Sequence, residues 1–274
     1  MEFKTKPEIA LDLLDQARET LAHQAVIADA GYGSNGNFRE ALRERKEPYI
    51  LAVTSSAISV VPEDSSILPI GTKTKQGRSR KQPAFPEDVK PETANVVVDD
   101  LSKEEWKEVQ WSEGTKKNLS GSFVRLRVRV TKDGRPTDET GWLLLERDRT
   151  DELKVYICWG VDSLSLEELV EIAHTRWVIE QGFKQMKGEL GLDDFEGRKW
   201  RGLHHHIAMV IIAFCYLMSL RVEDFSVWMD LPSIPQIRRE VTRLFYRRIY
   251  EIKFDLTAEE ADEFLDEYPV LVPE

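Results

Sequence analysis

The sequence predicts an α/β chain in which a helix-covered pair of parallel strands is followed by an antiparallel β meander and then by a run of helices. Three observations carry this reading. Two short apolar runs, Ala25 to Ala30 and Tyr49 to Thr54, flank a stretch from Phe38 to Lys46 with helical spacing; two apolar strands joined by a helix make a crossover unit and imply a parallel sheet covered by helices. Gly121 to Lys132 alternates apolar and polar, Asp133-Gly134 is a turn signal, and Gly141 to Arg147 and Lys154 to Trp159 read as further strands, so residues 121 to 160 make an antiparallel meander. From Ser165 onward the apolar spacing is helical.

The elements follow in order. Thr5-Lys6-Pro7-Glu8 reads as a capping box with proline at a tolerated early position, opening a helix to about Ala22. Gly31-Tyr32-Gly33 breaks the first apolar run. Residues 55 to 100 hold Pro62, Pro69, Pro83, Pro86 and Pro91 around a basic centre and read largely as loop. Ser102 to Trp111 reads as a short helix with a second capping pattern, Ser102 and Glu105. Gly121 to Lys132 places Val124, Leu126, Val128 and Val130 on one strand face and Arg125, Arg127 and Arg129 on the other. Gly141 to Arg147 and Lys154 to Trp159 continue the meander. Ser165-Leu166-Glu167-Glu168 opens one long helix that runs to Gly191. Leu203 to Arg221 is apolar nearly all round, the pattern of a helix buried in a large core. Ser233-Ile234-Pro235 begins a basic amphipathic helix, and Thr257 to Glu260 caps a short acidic one. No internal repeat is present.

With 274 residues, 41% of them hydrophobic, the chain has enough apolar material for a core. The longest apolar run, Ile207 to Leu220, spans 14 residues, whereas a membrane span needs about 20. No apolar leader opens the chain, so a cytoplasmic protein without a membrane partner is expected. Cys158 and Cys215 lie in apolar stretches with no Cys-x-x-Cys pairing and read as core thiols. The net charge of −11 argues against a nucleic-acid partner. Its distribution weakens that objection, because residues 255–274 hold eight acids and no Lys or Arg, leaving −3 on residues 1–254. Basic residues cluster at Lys73, Lys75, Arg78, Arg80 and Lys81, at Arg198, Lys199 and Arg201, and from Arg238 to Arg248.

Positions 176, 180 and 187 fall within a narrow arc of one helix face. A carboxylate between two cations suits a phosphodiester site, with Glu180 ligating a divalent metal and Arg176 and Lys187 holding phosphate oxygens. The ordinary alternative is an exposed i,i+4 ion pair of Arg176 with Glu180. Asp29 ends a predicted strand, where its carboxylate would sit at the carboxyl edge of a parallel sheet, a usual place for ligands; the alternative is a turn-initiating aspartate before glycine.

Ala28-Asp29-Ala30-Gly31-Tyr32-Gly33, then Arg176-Trp177-Val178-Ile179-Glu180-Gln181, Lys187, Glu189-Leu190-Gly191-Leu192, Phe195-Glu196-Gly197-Arg198 and Trp200-Arg201-Gly202 with His204-His205-His206, resemble bacterial insertion-sequence transposases of the DDE superfamily. The resemblance covers roughly residues 5 to 250 and implies an incomplete ribonuclease-H-like core, parallel strands plus helices, with an antiparallel β insertion before the glutamate-bearing helix. The implied division is residues 1–58 for the partial core, 59–162 for the loop-rich and β-meander insertion, 163–222 for the glutamate-bearing and apolar helices, and 223–274 for the basic helix and acidic tail. In that family two aspartates and a glutamate bind two divalent metals, usually magnesium, with manganese as a substitute, for DNA strand cleavage and transfer. Asp29 matches the second aspartate and Glu180 the glutamate. Arg176 and Lys187 match the basic members of a Y-x2-R-x3-E-x6-K signature whose tyrosine position is Ala173 here, and Arg198 and Arg201 of the matched block are grouped with them as DNA-binding residues.

The family's first aspartate has no counterpart. Asp12 and Asp15 are the only upstream aspartates, and both lie in a predicted helix. The resemblance therefore implies the carboxyl-terminal part of a transposase that acts on element ends and target DNA and is inactive alone, its Asp29 strand left at an open sheet edge. A separately encoded amino-terminal half and self-association are the partners it suggests. The alternative is a catalytically dead DNA-binding or transposase-interacting derivative.

Other candidates carry less. The three histidines fan by about 100° per residue on a helix and point to packing or a phosphate contact before a metal. Trp142 and Trp159 read as meander core or as platforms for an unpaired base. Arg239, Arg243 and Arg247 form a basic stripe that either tracks DNA or is a solvated face, and the loop at Arg78 to Lys81 is a further candidate DNA contact.

Overall fold

The computed structural model describes residues 3–73, 77, 79–112, 119–147, 152–223 and 233–267, with backbone alone for 221–223. Lys75 and Arg78 of the first basic cluster fall outside them, as do residues 268–274. The chain divides into two compact units, Met1–Trp177 and Val178–Glu274.

The first unit is built on one mixed sheet of eight strands: β1 (Val26–Ala28), β2 (Tyr49–Val53), β3 (Ser59–Pro62), β4 (Glu92–Thr93), β5 (Lys107–Trp111), β6 (Leu119–Lys132), β7 (Arg135–Arg147) and β8 (Leu153–Trp159). The order is β1-β2-β8-β7-β6-β3-β4, with β5 pairing β6 beside β3. Among the described strands only β1 and β2 are parallel, joined through α2 (Ala30–Gly33) and α3 (Gly36–Glu44) as the crossover pattern requires. The meander continues this sheet, because β8 pairs antiparallel with β2 from Tyr49↔Trp159 to Val53↔Val155. Asp133 and Gly134 both have positive φ, 51° and 71°, and close the β6–β7 hairpin between Lys132 and Arg135; an Asp-Gly pair meets this need at low cost. This mixed sheet with helices is compatible with a ribonuclease-H-like core.

The apolar runs are continuous because the central strands are covered on both faces. Tyr49, Leu51, Val53, Leu143, Leu145, Val155 and Ile157 point to one side, where Phe38 and Leu42 of α3 and Ala94 and Val98 of α4 (Ala94–Asp99) meet them and α1 (Lys6–Ala17) adds Leu11 and Leu14. Ile50, Leu144, Tyr156 and Cys158 point to the other, against Leu166, Leu169, Val170 and Ala173 of α5 (Leu166–His174). Val124, Val128 and Val130 lie on the first face as their alternation predicts.

Several elements differ from expectation. The first helix keeps its Thr5–Glu8 capping box but ends at Ala17, and Gly31-Tyr32-Gly33 forms the short helix α2. Residues 55–100 contribute β3, β4 and α4; Pro62 fits as the last residue of β3. Ser102–Trp111 is a single 3-10 turn, Lys103–Glu105, followed by β5, since Val109 and Trp111 are buried and alternate with exposed Glu108 and Gln110. The predicted helix from Ser165 to Gly191 is two helices, α5 and α6 (Trp177–Leu190), with a break at Thr175 and Arg176. At the break the Thr175 Oγ1 donates to the Glu171 carbonyl at 2.9 Å, back-bonding of the kind that bends helices.

In the second unit, α7 (Trp200–Glu223) and α8 (Ile234–Phe254) pack through Leu217, Ile234 and Ile237, with Leu190, Met218, Leu220 and Val241 around them. Burial of α7 all round is not found. Met209, Ile211, Ile212 and Tyr216 are about half or more exposed, and Cys215, expected as a core thiol, is exposed while Cys158 is buried. An all-round apolar pattern states what could be covered, and only one stripe of α7 is covered. By length and composition alone its segment Trp200–Leu220 is apolar enough to cross a membrane, a test that core helices of soluble proteins also pass. The acidic segment beyond Thr257 is α9 (Ala258–Glu267), docked on α8 by buried Ala261 and Leu265.

Candidate functional site

Asp29 leaves the carboxyl end of β1 and caps α2. Its Oδ1 accepts from the amides of Gly31 at 2.9 Å and Tyr32 at 3.4 Å, and the residue is exposed with no further hydrogen bond to Oδ2 among the described residues. The residue that starts the turn thus also stands at the carboxyl edge of the parallel pair. The turn is pressed onto β2. A Cβ on Gly33 would lie 2.0 Å from the Ala52 carbonyl oxygen, so only glycine lets α2 approach this closely.

A buried network holds the same turn from the side. Arg39 donates to the Gly33 carbonyl at 2.6 Å and to Glu139 at 2.7 Å, and the Tyr49 hydroxyl donates to Glu139 at 2.8 Å. Arg43 adds a contact to Glu139 at 3.2 Å. Burial, followed by the Glu139 charge, pushes the Tyr49 phenol well above its ordinary range, so the hydroxyl remains a donor. Glu139 lies far from Arg39 in sequence, and no periodicity pointed to it.

Arg176 stands in the break after α5, which puts it off the regular helix that carries Glu180 and Lys187. The end of α5 is fixed by a second buried network. Glu146 of β7 is fully buried, with Lys154 Nζ, the Tyr156 hydroxyl and His174 Nε2 each 3.1 Å from its oxygens. The His174 ring stacks on Trp111 with centroids 4.0 Å apart. Burial alone would raise the Glu146 pKa, but His174 and Lys154 outweigh it and hold the carboxyl below its ordinary value. The neighbouring Tyr156 phenol is raised by burial and by Glu146, and the charge of Arg176 opposes this rise, so Arg176 lies within electrostatic reach of the network.

Glu180 and Lys187 are exposed on α6, and Lys187 Nζ is 4.0 Å from Asp193. Arg198 and Arg201 are exposed, Arg201 in the first turn of α7. Asp29 and Arg176 belong to the first unit, and Glu180, Lys187, Arg198 and Arg201 to the second. The upstream aspartates are engaged elsewhere: Asp12 pairs with Lys4, and Asp15 is held by Arg45 at 2.9 Å. His204 bonds the Trp200 carbonyl at 3.0 Å, whereas His206 bonds that of Gly191 at 2.9 Å and packs on Phe195. The two rings therefore serve different partners. Trp142 lies beneath Arg125 and Arg127, and Trp159 stacks on Tyr49. Among the described residues no group of three or more His, Cys, Asp or Glu side chains is gathered closely enough to hold a metal.

Residues 1–118 match the family model of the DDE superfamily endonucleases. The match contains the strand, Asp29 and the Gly-Tyr-Gly turn, and supports a DDE-type nuclease or transposase family. No curated protein matches the chain. DDE-type nucleases act on DNA and generally use divalent metals. The Arg176 to His206 block that carries most of the sequence resemblance lies outside the matched residues.

Gly33→Ala forces α2 off β2 and should lower stability by about 1–3 kcal/mol, measured by urea unfolding followed by tryptophan fluorescence. His174→Phe keeps a ring on Trp111 but leaves Glu146 with less compensation and should cost about 3 kcal/mol. Because the folded Glu146 pKa is depressed, its stabilisation is complete above the ordinary value of 4.5 and is lost as pH falls through the folded one. Unfolding midpoints taken from pH 6 to pH 3 should therefore fall less steeply for Glu146→Gln than for the natural chain.

Proposed function

We propose that the chain is the carboxyl-terminal part of a DNA transposase of the insertion-sequence type and contributes the metal-binding acids Asp29 and Glu180 to strand cleavage and transfer. The observation that supports this reading best is the family match over the segment that carries Asp29, at the carboxyl edge of the parallel strand pair. The donor chemistry fits a hard divalent cation, magnesium or manganese, since both candidates are exposed carboxylates and the Asp29 Oδ2 is not engaged among the described residues. Such a cation, when bound, supplies charge neutralisation and an activated water.

The protein's own groups have separate tasks. Asp29 is oriented by the two amides it caps and by the packing of Gly33, so its second oxygen is presented without a rotamer search. Glu180 offers a carboxylate from α6. Arg176, Lys187, Arg198 and Arg201 bind DNA phosphates; arginine does so with a planar fork and lysine as a point charge.

The resemblance matches two acids where a two-metal site takes three, and Asp12 and Asp15 are held in ion pairs on α1. That observation favours an enzyme part that is inactive by itself, or the second reading, a DNA-binding or transposase-interacting derivative without catalysis. Duplex DNA binding by the full chain, measured by fluorescence anisotropy across a salt series, should weaken in Arg176→Ala/Lys187→Ala for every DNA sequence, with the salt slope reduced by about 2. With magnesium or manganese, no cleavage above that of Glu180→Gln is expected. Cleavage by the natural chain that Glu180→Gln abolishes would overturn the inactive assignment, and DNA binding that ignores Arg176 and Lys187 would overturn the phosphate assignment.

A further inference from the structure

The acidic segment forms the short helix its sequence predicts, and that helix is seated on the arginine stripe of α8. Ile234–Phe254 carries Arg238, Arg239, Arg243, Arg247, Arg248 and Lys253, whereas Ala258–Glu267 carries six acids and no base. Arg243 Nη1 is 2.7 Å from Asp266, and its Nη2 is 3.3 Å from Asp262. Arg247 Nη1 reaches the other oxygen of Asp262 at 3.3 Å. Beneath these pairs Ala261 and Leu265 are buried, and the Phe264 ring lies 5.1 Å from Tyr250.

Arg239, Arg243 and Arg247 recur every four residues and so line one arc of α8. Arg239 is exposed, and among the described residues its one hydrogen bond is to the Pro235 carbonyl of its own helix. Two carboxylates facing two guanidinium forks present the same acceptor chemistry as consecutive phosphates of a nucleic-acid backbone. Ion pairs this exposed contribute little and weaken with salt, so a polyanion competes with them readily.

We infer that the Arg239–Arg243–Arg247 face of α8 is a second surface for the backbone of duplex DNA, and that α9 occupies it as an intramolecular stand-in for phosphate until DNA displaces Asp262 and Asp266. The inference rests on the reading of the chain as a DNA-binding protein. It gives the acidic helix a role that a solvated tail would not have, namely raising the threshold for non-specific DNA.

The test uses the full chain and a labelled duplex of arbitrary sequence. Asp262→Asn/Asp266→Asn should bind about tenfold tighter near 0.1 M salt, with a slope of log affinity on log salt steeper by about 1–2. Adding Arg243→Ala/Arg247→Ala should remove the gain. Glu259→Gln/Glu263→Gln deletes the same charge from positions with no ion pair among the described residues and should leave affinity nearly unchanged. In the natural chain, amides of α9 should exchange faster with solvent deuterium once DNA is added. Equal gains in both acid variants, no gain in the first, or α9 amides that stay protected on DNA would overturn the inference. No gain here together with weaker binding in Arg176→Ala/Lys187→Ala would reject this inference alone; a gain here with no effect of Arg176 and Lys187 would reject only the earlier phosphate assignment.

Discussion

Pairing of β2 with β8 is the constraint on which the first unit depends. Tyr49 to Val53 run beside Val155 to Trp159 in antiparallel register, so a two-strand parallel unit and a β meander become one sheet with two covered faces. Alternate residues of β2 then serve different cores: Leu51 meets α3 and α4, and Ile50 meets α5. Both ends of the candidate site inherit their positions from this arrangement. Asp29 leaves the sheet where β1 pairs with β2, and α5, packed on the opposite face, brings Arg176 to its end.

Much of this was legible because it is encoded locally. The capping boxes at Thr5, Ser102 and Ser165 form with their expected partners, and Asp133-Gly134 takes up the positive φ values that its hairpin demands. The apolar runs marked β2, β8 and the second half of β7, which are buried on both faces, and also β1, which is half-buried at the sheet edge. Patterns failed where two periods compete or where a distant neighbour decides. Val109 and Trp111 have strand alternation behind a helix-like cap, and pairing with β6 chose the strand. The break at Thr175 and Arg176 left no mark in the apolar period from Ser165 to Gly191. For α7 the apolar count was right and the burial was not, because burial depends on what lies opposite.

The charged residues divide into two groups with different physics. Glu139 and Glu146 are carboxylates taken almost wholly out of water, and each is surrounded by donors from several elements; such sites are costly to break and fix geometry more than they add stability. Neither could be read from sequence, because the partners converge only in the fold. Asp262 and Asp266 represent the opposite case. Asp266 is exposed and Asp262 half-buried, and both pair with arginines that sequence had offered to DNA. Net charge therefore says little about this chain's affinity for nucleic acid.

The candidate acids were recognisable through motif resemblance, whereas the surroundings that orient Asp29 came from the close approach of Gly33 to β2 and from Arg39 on its carbonyl. A divalent metal site is the central claim. Manganese binding to the full chain in the presence of duplex DNA, followed by electron paramagnetic resonance, tests it most directly. The free manganese signal should be depleted by the natural chain, and less so by Asp29→Asn and by Glu180→Gln taken one at a time. Equal depletion by all three proteins would contradict the assignment of these two carboxylates to the metal.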